Sequence, residues 1–347
     1  MIRQMKHGQM TLTEPISPSS ATSRAHLTRG YTIALISAAF LSTTAIFIRY
    51  LTVTYAIPPL VLAFWRDVFV MTTLLPVLSV LRPALLRAER RYIPYLAAYG
   101  LVLSLFNILW TFSVALNGAA VATVLCYCSA AFTALLGWWL LKERLDSVKW
   151  LAIVLSLAGC AMVSGVFAQS VWRISVVGVL VGTAAGLSYA IYSLMGRSAA
   201  QRGLNPWTTL CYTFGFATVF LLGFNLLPET VMPGGANSLA DFFWLGKSWA
   251  GWGMLILLSA GPTVAGFGLY NVSLGYLPSS VVNLIATSEP VFTATSAYFL
   301  LGERLNGTQI TGSLMILSGV IALRLYDGWL ESRSRILSAD LADFLNG

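Results

Sequence analysis

Ten apolar segments, each about as long as a bilayer-crossing helix, occupy most of this 347-residue chain. A helix needs about 20 predominantly apolar residues to cross the hydrocarbon core of a membrane. The gaps between most segments are only a few residues long, so consecutive helices should be antiparallel neighbours. We therefore predict an all-α membrane protein with ten transmembrane helices. The predicted spans are 30–50, 59–81, 93–115, 119–141, 148–168, 176–198, 206–228, 250–274, 279–301 and 307–326.

The composition supports a surface that faces lipid. The chain is 57% hydrophobic and 10% charged, whereas soluble domains carry about 25% charged residues. The net charge of +8 does not indicate nucleic acid binding, because the basic residues lie in short gaps between apolar segments. The four cysteines fall inside apolar segments and are expected to be free thiols.

The distribution of basic residues predicts the orientation. If the N-terminus is inside, most of the 21 basic residues lie in cytoplasmic gaps and tails, as membrane proteins prefer. Only Arg49, Arg173, Lys247 and Arg304 then lie outside, while Arg66 lies within a span. We therefore predict that both termini are cytoplasmic.

A sequence pattern occurs twice, which predicts an internal duplication. Phe132-Thr133-Ala134 followed by Glu143-Arg144-Leu145 recurs 160 residues later as Phe292-Thr293-Ala294 followed by Glu303-Arg304-Leu305. An odd number of spans separates the copies, so they should have opposite orientations, as in transporters that work by alternating access. The predicted organisation is a disordered cytoplasmic tail (1–28), two five-helix repeats (29–168 and 169–328) and a cytoplasmic C-terminal tail (329–347).

Three features resemble the EamA family of the drug/metabolite transporter superfamily over residues 30–326. They are the Glu303-Arg304-Leu305 turn, the Glu289-Pro290 pair and the Trp65-Arg66 pair. Within this group the chain is most similar to bacterial exporters of aromatic amino acids. The resemblance implies two inverted five-helix repeats around a central cavity, lined mainly by spans 1, 3, 4, 6, 8 and 9. It also implies export across the bacterial inner membrane. Ser129-Ala130 replaces Glu289-Pro290 in the first copy.

Polar residues within the spans should face the protein interior, because polar groups facing lipid are costly. Equivalent positions of the two copies give an aromatic, neutral-polar set near the middle of the membrane. Such a lining suits a small molecule with an apolar or aromatic body and a zwitterionic head. Each residue could equally hydrogen-bond between packed helices without touching substrate. The candidate pathway residues are Thr44, Asn107, Trp110, Tyr127, Ser188, Tyr192, Tyr270, Asn271, Asn283 and Thr287.

Two acids within spans are candidates for a proton-carrying or a structural role. Glu289 lies near the middle of span 9, beside Pro290, which should kink the helix. Asp67 follows Arg66 early in span 2. Adjacent helix residues diverge by about 100°, so we expect Arg66 and Asp67 to have separate partners, with Arg49 as a partner for Asp67.

The short turns are candidates for gates. Asn117-Gly118 and 275–278 are equivalent hairpins at opposite ends of the molecule, and we interpret them as alternating gates. Glu143-Arg144 and Glu303-Arg304 are interpreted as anchors of tight turns. In span 6, the recurrence of Gly178, Gly182 and Gly186 at every fourth position predicts close helix packing.

The leading functional hypothesis is a secondary transporter that exports aromatic and other neutral amino acids by alternating access. Its expected partners are a small-molecule substrate and the lipid bilayer, with no nucleic acid, and the protein is expected to be a monomer. The only histidines, His7 and His26, lie in the tail, so we expect no metal site, no cofactor and no catalytic residue. The alternatives are an exporter of other amphipathic metabolites or drugs, a transporter of phosphorylated or nucleotide-linked sugars, a channel, and an intramembrane enzyme.

Overall fold

The computed structural model describes residues 19–163, 176–228, 234–236, 238–301 and 307–346. Within these ranges the regular secondary structure is helical and no β-strand occurs, so the predicted all-α class is confirmed for this part of the chain. The helices are α1 (Ser19–Ser42), α2 (Thr44–Tyr55), α3 (Pro59–Leu81), α4 (Ile93–Tyr127), α5 (Ser129–Leu141), α6 (Ser147–Val163), α7 (Val176–Gln201), α8 (Pro206–Asn225), α9 (Trp249–Leu258), α10 (Val264–Tyr276), α11 (Ser279–Ala286), α12 (Glu289–Leu301) and α13 (Gly307–Asn346).

Eight helical segments of the described chain are long and apolar enough to cross a membrane. Each of them coincides with one of the predicted spans. Of the two remaining predicted spans, the fifth corresponds to the shorter apolar helix α6, which ends at Val163 next to residues outside the described part. The ninth corresponds to 279–301, which is divided into α11 and α12. The structure therefore supports a multi-pass helical membrane protein without fixing the number of spans at ten.

The helices in spans 4 and 9 are interrupted at equivalent places. Cys128 separates α4 from α5, and Thr287 and Ser288 separate α11 from α12. Pro290 explains the second interruption, because its ring excludes a hydrogen bond to the carbonyl four residues earlier. The hydroxyls of Thr287 and Ser288 donate to the carbonyls three residues earlier, at 2.6 and 2.7 Å. The backbone nitrogens of Thr287 and Ser288 donate to the same two carbonyls, so the polar groups at this interruption are paired within the protein. Cys128 marks a break without a nearby proline.

The chain reverses its direction within α4. The side chains of Ser113 and Leu125 both face Gly182, and a Cβ atom added there would lie 2.7 Å from Leu125 Cδ1. In a straight helix these two residues would be about 18 Å apart. The backbone must therefore turn back between them, as expected for antiparallel spans 3 and 4. The side chains of the predicted hairpin, Asn117-Gly118, lie outside the described residues.

The contact between α6 and α13 relates the two copies of the repeat. A Cβ atom on Gly312 would lie 2.7 Å from the carbonyl oxygen of Gly159, and one on Gly319 would lie 3.0 Å from that of Ala152. Gly319 is the counterpart of Gly159, and Gly312 is that of Ala152, so the two contacts are reciprocal. They also require α6 and α13 to be antiparallel. The last helices of the two copies therefore run in opposite directions about a pseudo-two-fold axis.

The other helix pairings follow the same relationship. The packing of α1 on α10 is equivalent to the packing of α7 on α4, and α3 packs on its counterpart α8.

Helix α1 begins at Ser19, within the 1–28 segment that was expected to be disordered, and α13 continues to Asn346 through the expected C-terminal tail. Residues 1–18 lie outside the described part of the chain.

Candidate substrate pathway

A buried asparagine joins α4, α7 and α10 near the centre of the helix assembly. The Tyr99 hydroxyl donates to Oδ1 of Asn271 at 3.2 Å. Nδ2 of Asn271 donates to the Tyr192 hydroxyl at 3.1 Å and to the carbonyl of Phe267 at 2.9 Å. Asn271 is 4% exposed, and the two tyrosines are fully buried. Because a buried polar group is costly unless it is hydrogen-bonded, this network fixes the relative positions of three helices.

A second network connects α5, α7, α10 and α11. Ser129 Oγ donates to Oδ1 of Asn283 at 2.9 Å, and Nδ2 of Asn283 donates to Ser193 Oγ at 3.0 Å. Ser193 Oγ donates to the carbonyl of Tyr189 at 2.8 Å. The Tyr270 hydroxyl lies 2.6 Å from Ser193 Oγ. Since the single Ser193 proton is used on that carbonyl, Tyr270 is the donor.

Four tyrosine rings fill the space between these networks, and we call Tyr99, Tyr189, Tyr192 and Tyr270 the tyrosine cluster. The ring centroids of Tyr99 and Tyr192 are 4.7 Å apart, and those of Tyr189 and Tyr270 are 5.9 Å apart. Phe106 stacks on Tyr189 at 5.1 Å. Each tyrosine offers an apolar ring and a hydroxyl that can donate or accept. The centre is therefore aromatic and polar while carrying no formal charge.

A buried ion pair lies beside this centre, on α3. Arg66 Nη2 donates to Asn107 Oδ1 at 2.8 Å, and Arg66 Nε lies 3.3 Å from Asp67 Oδ1. The expectation of separate partners for Arg66 and Asp67 was wrong, because the long arginine side chain folds back to reach its neighbour. Among the residues that the structure describes, Asp67 Oδ2 and Asn107 Nδ2 are buried without a hydrogen-bond partner. The side chain of Arg49 lies outside the described residues, so its pairing with Asp67 stays a prediction.

Glu289 lies at the interruptions of spans 4 and 9. It is half-buried as the first residue of α12, and its carboxyl group lies near the Tyr127 hydroxyl. The Cys160 thiol donates to the carbonyl of Thr287 at 3.4 Å. The structure therefore brings together Tyr127, Thr287 and Glu289, and the four cysteines are free as expected.

The remaining candidates lie apart from the two networks. Thr44 begins α2, and its hydroxyl is buried without a hydrogen bond. Trp110 on α4 and Ser188 on α7 are half-buried. Of the ten predicted pathway residues, the networks include Tyr192, Tyr270, Asn271 and Asn283.

Sequence reasoning missed four members of the networks, namely Tyr99, Ser129, Tyr189 and Ser193. The sequence contains a signal for Tyr189, Ser193 and Ser129. Tyr189 precedes the predicted Tyr192 by three residues and Ser193 by four, so the three side chains share one face of α7. Ser129 is the counterpart of Glu289. The predicted candidates are polar residues at equivalent positions of the two copies. Residues whose partners lie on non-equivalent helices do not form such pairs, so this pattern does not reveal them.

A single carboxylate bridges the two copies at one end of the molecule. Glu143 accepts hydrogen bonds from the backbone nitrogen and the hydroxyl of Ser279, and from the same two groups of Ser280. These four contacts, at 2.7 to 3.3 Å, cap the N-terminus of α11, where a negative charge is favourable. We call this contact the Glu143 clasp. It joins the Glu-Arg turn of the first copy to the 275–278 hairpin of the second.

The corresponding turn at Glu303-Arg304 lies outside the described residues. Within the described part of the chain, no three His, Cys, Asp or Glu side chains are grouped so that they could hold a metal ion. The site therefore offers hydrogen bonds, aromatic surface and one buried ion pair.

These features define a multi-pass helical membrane protein with a polar, aromatic centre. The chain belongs to the EamA-like transporter family, whose model matches residues 28–165 and again residues 176–325. Each copy of the internal repeat therefore carries its own match to the family. This agrees with the predicted resemblance.

Three similar proteins illustrate the relationship. An uncharacterized transporter of Archaeoglobus fulgidus is 30% identical over 182 residues, which is 52% of this chain and 58% of the relative. The chain thus spans less than two thirds of that relative. A probable amino-acid metabolite efflux pump of Salmonella typhimurium is 25% identical over 276 residues, 76% of this chain and 84% of the relative. A crystal structure with 16% identity covers 90% of this chain and 100% of its own, with a TM-score of 0.69, which shows a shared fold.

Proposed function

We propose that this protein is a secondary transporter that exports aromatic and other neutral amino acids across the bacterial inner membrane by alternating access. The proposed architecture is ten transmembrane helices in two inverted five-helix repeats, 29–168 and 169–328, with both termini in the cytoplasm. We propose that, within the family, the chain resembles the bacterial aromatic amino acid exporter YddG. The observation that carries the proposal is the uncharged centre formed by the tyrosine cluster and its two hydrogen-bond networks.

The chemistry of this centre supports amino acids as substrates. Asn271 and Asn283 each carry donor and acceptor groups, which pair with neighbouring side chains in this structure. We propose that these groups and the tyrosine hydroxyls exchange those partners for the two ends of a zwitterion when the centre opens. The tyrosine rings offer a surface for an aromatic or aliphatic side chain. The name of the Salmonella relative, an amino-acid metabolite efflux pump, supports the same class. We propose that Thr44, Asn107, Trp110, Tyr127, Ser188 and Thr287 line the route to and from this centre.

Phosphorylated substrates fit this centre less well. A transporter of such anions needs fixed cations at its binding site. Arg66 lies within span 2 beside the networks, and it is already held by Asp67 and Asn107. The pair therefore contributes little net charge. This arrangement favours a neutral or zwitterionic solute.

The Glu143 clasp supports the gating part of the proposal. It holds the 275–278 hairpin against the first copy at the end that we assign to the cytoplasm. Because the copies are related by a pseudo-two-fold axis, an equivalent closure is available at the opposite end through the Asn117-Gly118 hairpin. Opening one end while the other stays closed is the motion that alternating access requires.

Exchange in liposomes tests the function. Vesicles with the purified full chain are loaded with unlabelled phenylalanine, diluted into labelled phenylalanine, and compared with vesicles loaded with leucine or with an amphipathic drug. We expect saturable accumulation that requires a loaded amino acid. Linear, unsaturable flux would instead indicate a channel, and exchange of the drug alone would indicate a drug exporter.

The matched variants for this assay are Tyr192→Ala and Thr295→Ala. Tyr192→Ala removes a ring and a hydroxyl from the centre, so accumulation should fall at least about tenfold, the effect of about 1.4 kcal/mol. Thr295 is exposed and its hydroxyl donates to the carbonyl of Val291 in its own helix, so its replacement should leave exchange unchanged. Absence of exchange for every neutral amino acid with wild-type protein would overturn the proposal.

A further inference from the structure

A groove opens between α1 and α13, away from the substrate pathway. It has a volume of about 370 Å³ and is lined by Thr28, Arg324, Leu325, Gly328, Trp329 and Ser332. A second groove of about 490 Å³ adjoins it along α1 and shares Thr28. Arg29 lines the second groove. The two grooves meet at Thr28, and we call them together the α1–α13 groove.

The arginines of this groove are held by hydroxyls and aromatic rings. Arg324 Nη2 donates to Thr28 Oγ1 at 2.6 Å, and its guanidinium lies 4.9 Å from the centre of the Tyr31 ring. Arg29 lies over Tyr276, with 5.5 Å between guanidinium and ring centre. Such contacts orient a cation without cancelling its charge.

One further arginine and one acid complete the charge distribution. Arg333 lies over the Trp329 ring at 5.3 Å. Asp327 accepts a hydrogen bond from Tyr31 at 2.9 Å and offsets one of the three positive charges. The groove therefore keeps a net positive charge among the described residues that form it. Such a surface favours a partner with negative charge.

Apolar side chains continue from the groove toward the middle of the bilayer. On α13 these are Leu325 and Ile321, which are 69% and 57% exposed, and on α1 they are Ile36 and Phe40, at 44% and 43%. On α1, Ile36 and Phe40 lie about two and three turns beyond Arg29. On α13, Leu325 adjoins Arg324, and Ile321 lies just under one turn before it. The arginines of the groove, together with the exposed apolar residues next to them, match a molecule with an anionic headgroup and hydrocarbon tails.

We propose that the α1–α13 groove binds an anionic phospholipid such as phosphatidylglycerol, with its phosphate at Arg29 and Arg324 and its acyl chains along the exposed apolar residues. The lipid would join the first helix of one copy to the last helix of the other. Trp329 supplies the aromatic group that favours the headgroup level. This site is separate from the tyrosine cluster, so it does not depend on which solute the protein carries.

The test uses the purified full chain in nanodiscs. Thermal unfolding is measured in phosphatidylcholine alone and in phosphatidylcholine containing phosphatidylglycerol. We expect the anionic lipid to raise the midpoint by about 2 to 4 °C, the order expected for a saturating ligand on a chain of this size. In the double variant Arg29→Gln/Arg324→Gln this shift should fall to less than half.

Arg91→Gln is the matched control, because Arg91 is an exposed arginine that pairs with Glu89 outside the groove. It should keep the full lipid-dependent shift. Native mass spectrometry provides the second readout, in which wild-type protein should retain phosphatidylglycerol that the double variant loses. If Arg324→Gln does not fold, Arg29→Gln is used alone, since Arg29 is exposed.

Three outcomes would overturn the proposal. The first is a wild-type protein that responds equally to both nanodisc compositions. The second is a double variant that keeps the whole lipid-dependent shift and the retained lipid. The third is an equal shift with inorganic phosphate in phosphatidylcholine nanodiscs, which would assign the groove to a soluble anion.

Discussion

The carboxylate of Glu143 accepts hydrogen bonds from both the backbone nitrogen and the hydroxyl of Ser279, at 2.8 and 2.7 Å. These two residues are more than 130 positions apart and belong to different copies of the repeat. The contact fixes the start of α11 against the end of α5. It is thus a direct link between the turn that repeats in the sequence and the hairpin that we interpret as a gate.

The first prediction concerns the strength of this clasp. Glu143→Ala removes the acceptor of four hydrogen bonds, and loss of a cap costs about 1 to 2 kcal/mol. The 275–278 hairpin should therefore open more often, by about tenfold for 1.4 kcal/mol. The measurement is the rate at which a thiol reagent modifies Leu277→Cys in a background without native cysteines, because Leu277 is fully buried.

Arg144→Gln is the control for this measurement, since it changes the exposed neighbour of Glu143 and leaves the cap intact. Its labelling rate should equal that of the parent. Equal rates in the Glu143→Ala protein would mean that the clasp does not hold the hairpin closed.

The second prediction concerns Asn271. Asn271→Leu leaves the hydroxyls of Tyr99 and Tyr192 without their shared partner in a buried position. An unsatisfied buried group costs about 1 to 3 kcal/mol, so the midpoint of thermal unfolding should fall by several degrees. The double variant Tyr99→Phe/Asn271→Leu should recover part of the loss, and no recovery would argue against the hydrogen bond as its cause.

The third prediction concerns the buried ion pair. Arg66→Met leaves Asp67 as an uncompensated charge in a fully buried position, at a cost of about 3 to 5 kcal/mol. Arg66→Met/Asp67→Leu removes both charges and should be more stable than the single variant. The unfolding midpoints of the wild type, Arg66→Met, Asp67→Leu and the double variant measure the coupling between the two residues. If the effects of the two single substitutions simply add, Arg66 and Asp67 do not stabilise the protein as a pair.

The fourth prediction concerns Glu289. Glu289→Gln keeps an oxygen that can accept from the Tyr127 hydroxyl but cannot exchange a proton. We expect exchange within about twofold of wild type, a change of about 0.4 kcal/mol, with an unchanged pH profile. That result would assign Glu289 a structural role. Loss of the pH dependence in this variant, with protein amount unchanged, would instead make it the proton carrier.

The fifth prediction concerns the glycines between α6 and α13. A Cβ atom on Gly159 would lie 2.5 Å from the carbonyl oxygen of Gly312, so Gly159→Val must push the helices apart. Overpacking of this kind costs about 1 to 3 kcal/mol, which unfolding midpoints will report. Gly253 has nothing within 4 Å of an added Cβ atom. Gly253→Ala should therefore be neutral or stabilising.

The locations of the spans could be predicted because bilayer thickness fixes the length of each apolar segment. The details inside the spans were less accessible. The interruption at Cys128 has no nearby proline that would predict it. It is recognised as part of the repeat because an interruption occurs at the equivalent residue, Ser288. The Arg66 side chain is long and flexible, so it can contact Asp67 although adjacent residues point in different directions from a helix. The angle between the two positions therefore did not predict the ion pair.

The centre of the site was predicted in part for a similar reason. Tyr192, Tyr270, Asn271 and Asn283 were found because polar side chains within a span must face the protein. Ser193 was missed because its partners lie on α10 and α11, at distances in the sequence that no local pattern encodes. The capping role of Glu143 likewise depends on a helix from the other copy.

The reciprocal contact between α6 and α13 has a consequence for any rocking movement. If the two copies exchange conformations, the contact of Gly159 with Gly312 becomes that of Gly319 with Ala152, and the pair of contacts as a whole is unchanged. At both points a carbonyl oxygen of one helix approaches the backbone of the other, and the adjacent side chains are Ile316 at Gly159 and its counterpart Ser156 at Gly319. We expect this helix pair to act as a pivot that is largely preserved in both end states, while other interfaces between the copies are broken and remade.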